Sequence, residues 1–170
     1  MLVILYKPGF SSDKKMLKAL QQTRNHFSPV KRQFHTSNIL KMGSNPSSLK
    51  LHDFNSVNTI IASPDYPKNI TLVDVREFSE LQKSGKIPGA INVPFNSQPS
   101  AFKYDQATWE ESFANVPKPA LDQELIFYCA VGRRAKAAAD VAAEAGYENL
   151  GVYTGSFTDW QNNKGKTEAV

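Results

Sequence analysis

Leu125-Ile126-Phe127-Tyr128-Cys129-Ala130-Val131-Gly132-Arg133-Arg134, followed by the alanine-rich stretch Ala135 to Ala145, is the part of the chain that decides its fold. An apolar run of four, a short loop holding the glycine and two arginines, and a run of strong helix formers read in order as buried strand, tight loop and helix. The only cysteine of the 170 residues opens that loop. Strand C-termini facing helix N-termini are where open α/β sheets bind ligands. The unpaired N–H groups and dipole of the helix start favour an anion there. Arg133 and Arg134 add positive charge, and both effects favour thiolate, the nucleophilic form of cysteine. Gly132 lets the loop adopt angles that turn several N–H groups inward. The alternative is a structural cysteine ending a core strand, since free cysteines commonly act as small buried hydrophobes. The loop weighs toward the reactive thiol.

Working outward, Leu49 to His52 reads as a short edge strand and Asp53 as the cap of a helix to about Ala62, broken by Ser63-Pro64-Asp65-Tyr66-Pro67. Ile70 to Val75 is a buried strand, Glu77 to Lys83 a short helix ended by Ser84-Gly85, and Ala90 to Val93 a short strand. Residues 94–106 form a loop. Thr108 caps a helix through about Val116, with Glu111 three residues on. Gly146 caps the helix after Cys129, Leu150 to Tyr153 is the last strand, and Ser156 to Asn162 closes the body. Strands alternating with helices predict an α/β domain. Its sheet, of about five mostly parallel strands, carries helices on both faces.

Composition narrows the classes. The hydrophobic content of 41% is enough for one core. A single cysteine excludes an intramolecular disulfide framework, and His26, His35 and His52 show no metal-ligand spacing, so no metal is expected. No apolar run approaches a membrane span. The net charge of +4 is unevenly spread: residues 1–50 hold nine Lys/Arg against Asp13 alone, whereas the remainder holds eleven against fifteen acidic residues. The basic balance therefore belongs to the N-terminal segment, and neither nucleic acid nor membrane is an expected partner of the body.

That segment, basic, acid-poor and containing Ser and Thr, resembles a mitochondrial presequence. Arg32-Gln33-Phe34-His35-Thr36-Ser37 is similar to the two-step matrix-processing pattern, which implies cuts after Gln33 and Lys41 and a mature chain from about Met42. Residues 1–15 depart from a presequence through their apolar start and Asp13, and Met16 offers an alternative start. A basic tail on a cytosolic protein is the competing reading. The domain plan is then a presequence over 1–41, a Gly/Ser/Asn/Pro-rich linker over 42–50, the domain over 51–165 and a tail over 166–170.

The body carries a wider resemblance. Asp74-Val75-Arg76-Glu77, then Gly85-Lys86-Ile87-Pro88-Gly89-Ala90-Ile91-Asn92-Val93-Pro94, resembles the first signature of rhodanese-like domains. The strand–Cys129–loop–helix unit is similar to that family's active-site loop, and Gly146-Tyr147-Glu148-Asn149 with the stretch Gly155 to Trp160 to its C-terminal signature. Together these cover roughly residues 48–165 and look closest to the single-domain mitochondrial members of fungi. Lys86 replaces a customary histidine, and Ser156 the second glycine before the final tryptophan.

The resemblance implies a monomeric, cofactor-free sulfurtransferase. Cys129 takes the outer sulfur of thiosulfate as a persulfide and passes it to glutathione, cyanide or a protein thiol. The N–H groups of Ala130, Val131, Gly132, Arg133 and Arg134 cradle the persulfide anion. One arginine pairs with the donor's sulfonate; Arg133 is expected at the pocket mouth, and Arg134 equally on ligand or surface. Asp74 and Arg76 are expected to brace the structure near the site, and Tyr128, Phe157 and Trp160 to pack. Two rivals remain. One is a persulfide carrier or regulatory module serving a partner protein. The other is a cysteine phosphatase or arsenate reductase, which needs an arginine six positions after the cysteine, where this chain has Ala135.

Overall fold

The computed structural model describes residues 48–170. The expected presequence over 1–41, its two cuts and residues 42–47 of the expected linker lie outside the described residues. The elements follow the order β1 (Lys50–His52), α1 (Phe54–Ile61), β2 (Ile70–Asp74), α2 (Phe78–Ser84), β3 (Ile91–Asn92), a 3-10 turn (Ala101–Lys103), α3 (Gln106–Ser112), β4 (Glu124–Tyr128), α4 (Arg133–Glu144), β5 (Leu150–Tyr153) and α5 (Ser156–Asn162). The five strands form one sheet in the order β1-β5-β4-β2-β3, and every pairing is parallel. This is the α/β architecture the alternating elements predict.

Period two along β4 divides the core. Leu125, Phe127 and Cys129 join Trp109, Phe113 and the alanine face of α4 on one side. Ile126 and Tyr128 join Val57, Phe157 and Trp160 of α1 and α5 on the other. The alanines of α4 (Ala135, Ala138, Ala139 and Ala142) are all buried. Their small side chains let the helix lie close on the sheet, which fixes where its N-terminus falls beneath Cys129. Parallel register sets Asp74 opposite Tyr128, so the C-terminal ends of β2 and β4 share one edge of the molecule.

Four boundaries differ from the sequence reading. The helix placed from Thr108 to Val116 is Gln106–Ser112, and its cap is Asp105, whose carboxylate accepts the Thr108 N–H at 2.8 Å. It stops early because the buried Trp109 indole donates to the Val116 carbonyl at 2.7 Å, which requires the chain to double back. The loop over 94–106 contains the 3-10 turn, and Phe102 lies in the core against Trp109, Phe127 and Tyr147. The main helix starts two residues early, at Arg133, because Gly132 is its N-cap with φ +91°. The expected tail over 166–170 belongs to the domain. Glu168 forms a two-way backbone bridge with Lys86 at 3.0 Å in each direction, and the Trp160 indole donates to the Lys166 carbonyl at 2.9 Å.

Candidate active site

Cys129 is 1% exposed at the end of β4. Its Sγ accepts the Gly132 N–H at 3.1 Å, which curls the loop over the sulfur. A Cβ on Gly132 would meet the Thr154 carbonyl oxygen at 2.7 Å, so positive φ and close approach both require glycine there. Gly132 offers no side chain to cap α4, leaving the first-turn N–H groups without a side-chain acceptor. Val131, at the loop's crest, is 63% exposed. The sulfur thus lies under an open loop with donor groups close to it, an arrangement able to receive negative charge.

The underside of the loop is held by the segment after β5. Phe157 N–H donates to the Cys129 carbonyl at 2.9 Å and Thr158 N–H to the Ala130 carbonyl at 3.0 Å. Ser156 Oγ accepts the Cys129 N–H at 3.3 Å and donates to the Tyr153 carbonyl at 2.8 Å. Ser156 is fully buried with φ +54°, a left-handed conformation that glycine adopts more easily. The serine keeps it because its hydroxyl links the last strand to the cysteine's own amide. Sequence reading noted Ser156 only as a departure from the family pattern; a polar residue in a glycine's place was the available signal.

The two adjacent arginines have different surroundings. Arg133 is exposed. Arg134 is half-buried and forms a bidentate pair with Glu80 of α2, Nη1 to Oε2 at 2.7 Å and Nη2 to Oε1 at 2.9 Å. Successive residues on a helix point about 100° apart, which separates the neighbours so. The Glu80 hydrogen bonds raise the Arg134 pKa, with smaller contributions from the charge and hydrogen bonding of Cys129. The same contact, chiefly, brings the Glu80 carboxyl down to about 2. Glu80 was not among the expected site residues; only tertiary packing carries it across 54 positions to Arg134.

Asp74 and Arg76 are both buried and joined by Nη2 to Oδ2 at 2.6 Å and Nε to Oδ1 at 3.0 Å. Arg76 also donates to Ser84 Oγ and the Gly85 carbonyl, and its guanidinium lies 3.6 Å from the centroid of the Phe157 ring. The pair ties β2, the end of α2 and α5 together below the loop. Tyr128 accepts the Ile87 N–H through its hydroxyl at 3.1 Å, and burial, with Asp74 nearby, raises its pKa well above the usual value. Lys86 pairs with Glu168 at 2.8 Å, while Glu168 Oε1 accepts the Gly89 N–H at 3.1 Å. The departure at Lys86 thus holds the C-terminal segment.

Among the described residues no group of three His, Cys, Asp or Glu side chains comes together as a metal site. Ala135, where a cysteine phosphatase needs its arginine, is fully buried on the core face of α4, so that guanidinium is missing from this loop.

Comparison with known proteins agrees with this fold. The profile of the rhodanese-like domain matches residues 56–163. The thiosulfate:glutathione sulfurtransferase of Saccharomyces cerevisiae is 41% identical over 121 residues, covering 71% of this chain and 84% of that protein. The mitochondrial thiosulfate sulfurtransferase RDL2 of the same yeast is 43% identical over 111 residues, covering 65% and 72%. The crystal structure of single-domain RDL2 superposes with a TM-score of 0.62 at 40% identity, covering 68% of this chain and 90% of that one. With its parallel sheet, its cysteine loop and these relatives, the chain belongs to the rhodanese-like domain family.

Proposed function

We propose that this chain is a thiosulfate sulfurtransferase that works through a Cys129 persulfide. The observation that carries the reading is the Cys129 sulfur set beneath the Gly132 N–H at the start of the helix that bears Arg133 and Arg134, in a chain whose relatives bear that activity in their names. The Cys129 thiolate attacks the outer sulfur of thiosulfate. A new S–S bond forms as the sulfur–sulfur bond of the donor breaks, and sulfite leaves with the bonding pair. The terminal sulfur of the persulfide then carries the negative charge. The loop amides of Ala130 to Arg134 stabilise that charge without reorganising. An acceptor thiolate attacks the terminal sulfur, takes it as its own persulfide and returns Cys129 as thiolate. Glutathione is the proposed acceptor; cyanide and protein thiols react by the same step. Every residue of this cycle comes from one chain, so a monomer suffices, and no cofactor takes part.

A mitochondrial location is proposed with it, in the matrix, from the presequence-like segment and from relatives named as mitochondrial. N-terminal sequencing of the protein recovered from mitochondria is expected to begin near Met42; recovery from the cytosol with residues 1–41 intact would overturn this.

The activity is tested with the full chain and Cys129→Ser, following sulfur transfer from thiosulfate to glutathione and to cyanide together with intact mass. Turnover, and a mass gain of one sulfur that Cys129→Ser abolishes, are expected. A wild-type protein that neither turns over nor gains sulfur would sink the proposal. Slow turnover with small thiols but rapid transfer to a protein would assign it a carrier role instead.

A further inference from the structure

The sulfurtransferase reading leaves Glu80 without a part. Its carboxylate is restrained twice. Within α2, Oε2 accepts the Glu77 N–H at 2.9 Å and completes a capping box. Across the molecule, both oxygens clasp the Arg134 guanidinium. Among the described residues no other carboxylate hydrogen-bonds Arg134. A bidentate pair orients a guanidinium as well as neutralising it. The carboxyl's pKa of about 2 keeps the pair ionised throughout the neutral range. Arg134, in the first turn of the helix that follows the cysteine loop, therefore carries a charge that is already matched.

We propose that Glu80 is a specificity-determining residue, which sets the net charge facing the sulfur by cancelling that of Arg134. This rests on the sulfurtransferase reading for its consequence. The donor and the leaving sulfite are both dianions. An uncancelled guanidinium beside Cys129 would hold both more tightly, and sulfite would then linger and compete with fresh donor. With Glu80 in place, the helix start and exposed Arg133 attract the anion while release stays easy. Glu80 touches neither substrate nor sulfur; it acts through Arg134.

The test uses the full chain with Glu80→Gln, Glu80→Asp, Arg134→Gln and the double variant Glu80→Gln/Arg134→Gln. Cys129 is the only cysteine, so alkylation reports on it alone. The ratio of its alkylation rates with anionic iodoacetate and neutral iodoacetamide measures local charge without requiring turnover, since both reagents need the same thiolate. The ratio is expected to follow the charge of the pair. It rises about three- to tenfold in Glu80→Gln at low salt, falls in Arg134→Gln, and returns to within about twofold of wild type in the double variant and in Glu80→Asp; near 1 M salt the differences shrink. The KM for thiosulfate and the sulfite inhibition constant fall together in Glu80→Gln by a similar factor, without a rise in kcat. A ratio unchanged in Glu80→Gln, or changes indifferent to salt and shared by Glu80→Asp, would overturn the proposal in favour of a purely structural role. A ratio that tracks charge in proteins that transfer no sulfur would leave the charge-setting role standing and remove the sulfurtransferase reading. Normal turnover with an unmoved ratio would do the reverse.

Discussion

Ser156 shows what one side chain does for the cysteine loop. It sits at φ +54° with no exposure, where the backbone alone would choose glycine. Two substitutions separate its contributions. Ser156→Ala keeps the strained backbone and strands the Cys129 amide and one acceptor of the Tyr153 carbonyl, at a cost of about 1–3 kcal/mol. Ser156→Gly loses the same hydrogen bonds but relaxes the left-handed residue, so it is expected to be the more stable of the two variants by about 1 kcal/mol. Urea denaturation of both checks the order, and an alanine variant as stable as the glycine one would show that φ costs nothing here. Gly132 has no such latitude. Ala there must displace the Thr154 carbonyl, and Gly132→Ala is expected to fold with reduced stability and to lose most persulfide formation, read by intact mass after thiosulfate treatment.

At the scale of elements, the site is a junction. The end of β4, the start of α4, the start of α2 and the segment after β5 meet around one sulfur, each through named hydrogen bonds. Asp74 and Arg76 close this junction from below. Removing the cation in Arg76→Ala leaves the Asp74 carboxylate buried without its partner, so a loss of about 3–5 kcal/mol is expected by thermal or urea unfolding. A loss below about 1 kcal/mol would mean that water reaches Asp74. The C-terminal segment is a second clasp. Truncation after Lys164 removes the Lys166 carbonyl from the Trp160 indole and the whole Glu168 contact with Lys86 and Gly89. A melting temperature several degrees lower is expected, with more of that loss from the backbone and indole bonds than from the half-exposed ion pair, which contributes about 0–1 kcal/mol. Glu168→Gln, which spares the backbone bridge, should therefore lose much less than the truncation.

Across the whole molecule, the group among the described residues that makes stability depend on pH just below neutrality is His52 on the edge strand. Its Nδ1 lies 2.8 Å from Ser56 Oγ, while the buried Nε2 has no hydrogen-bond partner and packs where Gly151 leaves room. Burial lowers its pKa below 6.5, aided by Lys50 and opposed by Glu124 and Asp53. The folded state therefore favours the neutral ring. The stabilisation is complete above about pH 6.5 and is lost as pH falls from there toward the folded-state pKa, because the unfolded chain takes up the proton first. The melting temperature is expected to drop across that window in the wild type, and this part of the slope to vanish in His52→Asn, which retains a polar atom near Nδ1. An identical slope in both proteins would place the sensor elsewhere.

Much of this was legible in residues read along the chain. Period-two apolar runs, the alanine helix, the Pro/Gly breaks and the cysteine followed by Gly132 and two arginines sufficed for the α/β class, the five strands and the position of the thiol. These features are local, because backbone geometry and the ends of secondary elements are governed by residues within a few positions of one another. Sequence reading erred where a distant contact decides a boundary, as when Trp109 ends α3 by bonding Val116, or when Lys86 draws residues 166–170 into the domain. It also could not tell Arg133 from Arg134, since the two are adjacent, identical in type and separated only by which way a helix faces. Local order along the chain therefore determined the scaffold and its nucleophile. The tertiary structure alone decided that nucleophile's electrostatic surroundings, because Glu80, Ser156 and Thr154 reach the loop through packing between elements far apart in sequence, and charge acts through space.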